Sequence, residues 1–223
     1  MKNEKINQFC TEVEAELEQN ILPFWMNKMI DCEHGGFYGR ITGEDVLEVS
    51  ASKGAILNAR ILWTFSAAYR LLHKEEYLET ATRAKRYLIE HFYDSEFGGV
   101  YWELDCEGNP LDTKKQIYAI GFAIYGLSEY ARATGDTEAL DYACRLFEVI
   151  EKYSFDADKN GYVEALTRDW HPIEDMRLSD KDENEKKTMN THLHILEPYT
   201  NLYRVWKDER LKKQIVNLVN LFL

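Results

Sequence analysis

The sequence predicts an all-α fold built from helical hairpins, on three observations. Helix-spaced apolar residues recur in seven segments, three short glycine hairpins separate them at near-constant intervals, and one helix of each unit carries an out-of-place residue two turns in. Ile6, Phe9, Val13 and Leu17 open the series. Helical spacing then runs from Ile56 to Leu72, Tyr77 to Ile89, Ile117 to Tyr130, Ala139 to Ile150, Met189 to Val205 and Leu211 to Leu223. Between the first and second segments lies Asp31 to Ile41 with Gly35-Gly36-Phe37-Tyr38. Between the third and fourth lies Asp94 to Asp105 with Gly98-Gly99-Val100-Tyr101, and between the fifth and sixth Asp156 to Leu166 with Asn160-Gly161-Tyr162-Val163. Glycine frees the backbone for a tight turn, and alternating aromatic and β-branched residues suit short strands.

The even-numbered helices can be laid on one another by matching Tyr69-Arg70, Tyr130-Ala131 and Tyr203-Arg204. Lys53, Lys114 and Lys187 then coincide, and Arg60, Gly121 and His194 follow seven residues later. Helix pairs with hairpins on one side can close into a ring in which alternate helices line the centre, so polar residues near the inner N-termini would converge. An open solenoid is the competing arrangement, and it lacks such hairpins.

The 223 residues hold 27 basic and 39 acidic side chains, a net charge of −12, with no Lys/Arg tract. That balance argues against nucleic acid or an anionic membrane surface as partner, since both require positive charge to displace counterions. No apolar run approaches the roughly 18 residues of a membrane span, and Met1 to Lys5 leads into an acidic amphipathic stretch without a signal core, which predicts a cytoplasmic protein. Cys10, Cys32, Cys106 and Cys144 are widely spaced and are expected to be reduced, mostly packed thiols.

Arg60 stands in Ile56-Leu57-Asn58-Ala59-Arg60-Ile61-Leu62-Trp63, a run otherwise suited to burial, so it must pair with a carboxylate on the next helix or face a wet cavity. In Asn190-Thr191-His192-Leu193-His194-Ile195-Leu196-Glu197, residues four and seven apart share a face, so Asn190, His194 and Glu197 point together. Glu197 would fix the His194 tautomer, an acid/base or sugar-binding arrangement. His192 lies round the helix and reads as a packing or hydrogen-bonding residue. Two histidines at i and i+2 cannot share one metal from a regular helix, so no metal is predicted. Tyr118, one turn before Gly121, could offer its hydroxyl to the cavity or belong to the core. Arg168 to Lys187 is the longest unpatterned segment, a candidate lid, in which Trp170 offers a stacking face for a sugar ring; its charged half, Asp180 to Lys187, reads as solvated.

These residues carry a resemblance to a known family. Lys53 to Trp63 resembles the arginine-bearing motif of the cellobiose 2-epimerases, and Asp175-Met176-Arg177-Leu178-Ser179-Asp180-Lys181-Asp182, followed by Met189 to Arg204, resembles their central motif. Gly35 to Arg40 also fits. The resemblance covers the whole chain and implies an (α/α)6 barrel that epimerises C2 of the reducing-end glucose of a β-1,4 disaccharide, through a cis-enediolate and without a cofactor. It implies that Arg60 stabilises the enediolate oxygens, that Asn190 and His194 hold the sugar near O1, and that Tyr118 and Asp182 are secondary contacts.

At 62 or 63 residues per unit the chain supplies three and a half helix pairs, so residues 1–223 are expected to form an incomplete barrel. The resemblance places the principal acid and base on two histidines of a C-terminal half, which makes a truncated, weakly active or inactive form the expectation. Its open edge should favour self-association. Two rivals of other classes remain: a glycoside hydrolase or lyase on the same ring, which needs a carboxylate pair where only Glu197 is evident, and a non-catalytic sugar-binding scaffold.

Overall fold

The computed structural model describes residues 2–223, with side chains from residue 5 onward. It contains the seven expected helical segments. The first is one continuous stretch, α1 (Lys2–Glu16) and α2 (Leu22–Asn27) joined by a π turn at Leu17–Ile21. Then come α3 (Ala55–Leu72), α4 (Glu75–Tyr87) with a closing π turn at Leu88–Phe92, α5 (Ile117–Thr134), α6 (Thr137–Tyr153), α7 (Met189–Val205) and α8 (Glu209–Phe222). Helices α3, α5 and α7 lie side by side as an inner layer, with α4, α6 and α8 behind them. The middle helix, α5, packs against neighbours on three sides, and 14 of its 18 residues are buried. This accounts for an apolar sequence all round it.

The link from each inner helix to the next outer one is brief and capped. His73 and Gly135 end α3 and α5 in the left-handed conformation. The Asp136 carboxylate caps α6 by accepting from Ala139 N–H, and Asp208 caps α8 by accepting from Arg210 and Leu211.

The return link holds the glycine hairpin, each closed by a single bridge: Ile30 to Phe37, Tyr93 to Val100, Phe155 to Tyr162. One aspartate begins every turn. Asp31 accepts from Glu33 and His34 N–H, Asp94 from Glu96 and Phe97, and Asp156 from Asp158 and Lys159. Four and five residues later the chain takes positive φ, at Gly35 and Gly36, Gly98 and Gly99, Asn160 and Gly161. A ring covers the second glycine each time: Tyr87 over Gly36, Trp170 over Gly99, His192 over Gly161. A side chain at Gly36 would sit 2.6 Å from the Tyr87 ring, so both conformation and space require glycine there.

A lysine from just before each inner helix returns to the same aspartate. Lys53 reaches Asp31 at 2.7 Å, Lys115 reaches Asp94 at 2.8 Å and Lys187 reaches Asp156 at 2.7 Å. The first two pairs are wholly buried. The residue pairing with Asp94 is thus Lys115 and not Lys114, which corrects the sequence register by one. With Lys53, Lys115 and Lys187 equivalent, the residue matching Arg60 and His194 is Phe122, and Arg70, Arg132 and Arg204 also coincide. Sixty-two residues separate the first two lysines and 72 the second two, the excess lying in the loop before α7.

Short strands tie each unit to the next. β1 (Lys53–Gly54) pairs antiparallel with β2 (Glu103–Leu104), which pairs with β3 (Pro110–Asp112). β4 (Lys115–Gln116) pairs with β5 (Ala165–Leu166). Each therefore fixes the start of an inner helix against the following hairpin, and the first N–H groups of α3 and α5 donate to Trp102 and Glu164 carbonyls. The expectation of mostly packed thiols fails for half of them: Cys10 and Cys32 are exposed. Cys144 is half-buried, and burial raises its pKa to about 11.

Candidate active site

Arg60, Phe122 and His194 sit at one register position on three adjacent inner helices, and the structure brings them together. The Arg60 guanidinium lies over the Phe122 ring, 4.5 Å from its centroid, and donates to the Tyr118 hydroxyl at 3.3 Å. Tyr118 and Phe122 are each in ring contact with His194, at 4.7 and 5.1 Å. His194 Nδ1 is 2.8 Å from Glu197 Oε2, so the expected pairing along α7 is present.

Two close helix contacts produce this convergence. A side chain at Gly126 would meet the Ala59 carbonyl at 2.8 Å, so glycine lets α5 approach α3. At Gly121 a side chain would stand 2.5 Å from the His194 carbonyl oxygen. Pro198 has no N–H to satisfy that oxygen within α7, and the Gly121 α-hydrogen fills the space before it as a weak Cα–H donor. Gly121 and Pro198 together set His194 against α5.

Arg60 is exposed and, among the described residues, forms no ion pair with a carboxylate. The wet-face alternative for this residue therefore holds over the structural ion pair. Among the described residues its charge meets a ring face and a phenol. Burial raises the Tyr118 pKa while the Arg60 cation partly lowers it, leaving the phenol neutral at neutral pH. Around these residues Ala59, Tyr118 and Phe122 form a small apolar cluster on which Ile56, Tyr125 and Leu178 pack.

Asn190 and Asp182 fall beside this cluster. Both are exposed and line a cavity of about 200 Å³ with Glu164, Thr188 and Leu178. Asp182 also accepts from the Ser179 backbone and hydroxyl, holding its turn. The long loop is anchored rather than loose: buried Gln116 donates to the Met176 and Arg177 carbonyls, and Asn184 accepts from Met176 N–H. Most of Asp180 to Lys187 is exposed, as a solvated segment should be.

Trp170 does not join the site. It is 8% exposed, stacks on Tyr153 at 4.6 Å with the rings 5° apart, and donates Nε1–H to the Phe97 carbonyl. Its other contacts are Gly99 and Lys115, so the indole fills the joint between two units and has no face free for a sugar. Arg168 beside it clamps Asp94 with two hydrogen bonds. His192 is structural as expected: Nε2 accepts from Tyr162 N–H at 2.9 Å and Nδ1 donates to the Thr188 carbonyl.

Phe122 and Leu178 escaped the sequence reading. The off-by-one register set Gly121 opposite Arg60 and hid Phe122; the aspartate turns do not supply the frame, since Lys53 lies 22 residues after Asp31 and Lys115 21 after Asp94. Among the described residues no group of three or more His, Cys, Asp or Glu is placed to hold a metal, and no helix is long and apolar enough to cross a membrane.

Inner helices joined through hairpins, presenting a cation, a phenol and a carboxylate-paired imidazole from neighbouring positions, define an arc of the α/α-toroid class. The N-acylglucosamine 2-epimerase family model matches residues 35–223, and the chain belongs to that family. Among curated proteins it is 73% identical to the cellobiose 2-epimerase of Bacteroides fragilis over 95% of its own length and 54% of that protein's. It is 45% identical to the cellobiose 2-epimerase of Ruminococcus albus, over 92% and 52%. The solved cellobiose 2-epimerase of Bacillus thermoamylovorans superposes with a TM-score of 0.93 at 48% identity, over 97% of this chain and 55% of the other. A D-mannose isomerase, at 21% identity and a TM-score of 0.78, shares the fold. The chain spans about half the length of the relatives it matches.

Proposed function

We propose that this chain carries the enediolate-binding face of a carbohydrate 2-epimerase acting on the reducing-end glucose of a β-1,4 disaccharide such as cellobiose. The observation that supports it most is Arg60, an exposed guanidinium held beside Tyr118 and His194 with no carboxylate among the described residues to neutralise it. The reaction needs such a group. Ring opening exposes an aldehyde at C1, a base removes the C2 proton, and the electron pair moves onto O1 as the cis-enediolate forms. Proton return to the opposite face of C2 gives the mannose-ended epimer. A fixed cation beside O1 and O2 stabilises the developing charge.

In this reading His194, its tautomer set by Glu197, holds O1 and the ring-opening end together with Asn190. Tyr118 and Asp182 are secondary contacts. Residues 1–223 act as an incomplete barrel in the cytoplasm, without a cofactor, and the apolar faces of α1 and α8 favour self-association.

Two acid/base groups on opposite faces of C2 are required, and His194 is at most one. Lack of one typically costs about 10²- to 10⁴-fold in rate, so we expect weak disaccharide binding and negligible epimerisation. The test is deuterium incorporation at C2 of cellobiose in D₂O, followed by NMR beside a full-length relative. Incorporation at a comparable rate by both would show that the groups present here suffice and overturn the expectation of a weakly active form. Hydrolysis to glucose would instead support a glycoside hydrolase, and C2 exchange by the full-length relative left unchanged by the equivalent of Arg60→Lys would support a sugar-binding scaffold.

A further inference from the structure

We infer that Phe122 is a positioning residue that holds the Arg60 guanidinium in place without cancelling its charge. The inference rests on the reading of Arg60 as the group that meets developing negative charge. A catalytic arginine is usually oriented by a carboxylate, which fixes the fork and neutralises much of its field. Here 39 acidic side chains are available, and none of the described ones pairs with Arg60. The Phe122 face takes that role: the guanidinium carbon lies 4.5 Å above the ring. The ring itself is 7% exposed and is fixed between Tyr118 at 5.0 Å and His194 at 5.1 Å.

The arrangement has a consequence for charge. The quadrupole of an aromatic face attracts the cation but carries no net charge, so the positive field on the open side of the guanidinium survives. Held over the ring, the guanidinium donates one hydrogen bond to the Tyr118 hydroxyl at 3.3 Å and keeps further N–H donors for an oxyanion. The same ring touches His194. One side chain from the middle helix therefore sets the spacing between the two groups contributed by its neighbours.

The experiment replaces Phe122 in the 223-residue chain with pentafluorophenylalanine, which keeps ring shape but reverses the sign of the face. Phe122→Tyr, retaining a normal face, is the conservative control. The readout is the Arg60 Nε–Hε NMR signal, assigned by its loss in Arg60→Lys, together with the backbone spectrum as a check on folding. A face contact of this kind corresponds to roughly a two- to fivefold population preference. Hydrogen exchange at Arg60 Nε should therefore accelerate by about that factor in the fluorinated protein, and should stay near its original rate in Phe122→Tyr. Unchanged exchange in the fluorinated protein, with the fold intact, would overturn the inference. Equal acceleration in both variants would also overturn it, since shape and not the charged face would then be responsible. Neither readout requires turnover, so failure of the epimerase reading would appear separately, as undiminished C2 exchange in full-length relatives carrying the equivalent of Arg60→Lys.

Discussion

Three Lys–Asp pairs differ only in their surroundings, and that difference separates their energetic roles. Lys53–Asp31 and Lys115–Asp94 have no exposed side-chain surface, whereas Lys187–Asp156 is about a quarter exposed on each side. Removing one partner of a buried pair strands the other charge, at a cost of about 3–5 kcal/mol, while a solvent-screened pair contributes about 0–1 kcal/mol. Lys53→Met should therefore lower the urea midpoint strongly, Lys115→Met less because Arg168 still pairs with Asp94, and Lys187→Met little; equal shifts in all three would refute the ranking. The aspartates also predict an acid limb. Burial alone would raise Asp31 and Asp94, but hydrogen bonds from His34 N–H and Lys53, and from Arg168 and Lys115, outweigh it and hold both below the ordinary value. The bond from Lys187 lowers Asp156 in the same direction. A carboxylate held low in the folded state stabilises fully above its unfolded pKa of about 3.9, and loses that contribution as pH falls through the folded value. Stability followed by circular dichroism should drop as pH is taken below about 4.

Helix identity was legible because the apolar spacing is strong, and hairpin identity because Gly35-Gly36, Gly98-Gly99 and Asn160-Gly161 recur. The register of α5 was not. Lys114 and Lys115 are adjacent, so a one-residue slip still pairs lysine with lysine, and only the carboxylate each one reaches distinguishes them. Trp170 was misplaced for a related reason: a lone aromatic in a long loop looks exposed until the next unit's Gly99 is set against it. The inner helices can be tested at their closest approach. Gly121→Ala places a methyl 2.5 Å from the His194 carbonyl, a backbone atom that cannot swing aside. Helix α7 must move outward, at a cost of about 1–3 kcal/mol, and His194 must separate from Phe122. In the NMR spectrum the His194 ring protons should lose the upfield shift induced by Phe122 and Tyr118. Retention of that shift at wild-type stability would mean that the helices do not touch there.

Over the whole molecule, a net charge of −12 opposes exposed apolar faces at the ends of the arc. Ile6, Phe9 and Val13 stand 52%, 65% and 49% exposed on α1, and Val216 and Val219 stand 54% and 41% exposed on α8. Residues at this spacing form a stripe along one helical face, the pattern of a surface that packs against another helix. Between two copies, apolar burial attracts while like charge repels, and only the second term is screened by salt. Self-association should therefore strengthen as sodium chloride rises from low to physiological concentration, opposite to the behaviour of an interface held by ion pairs. Sedimentation velocity across a salt series reads this directly. Phe9→Asp should weaken association at every salt concentration, and Val219→Asp should do the same if α8 contributes. A species that remains monomeric throughout would show that charge repulsion prevails over both apolar stripes, and association that weakens with salt would point to polar contacts elsewhere on the surface.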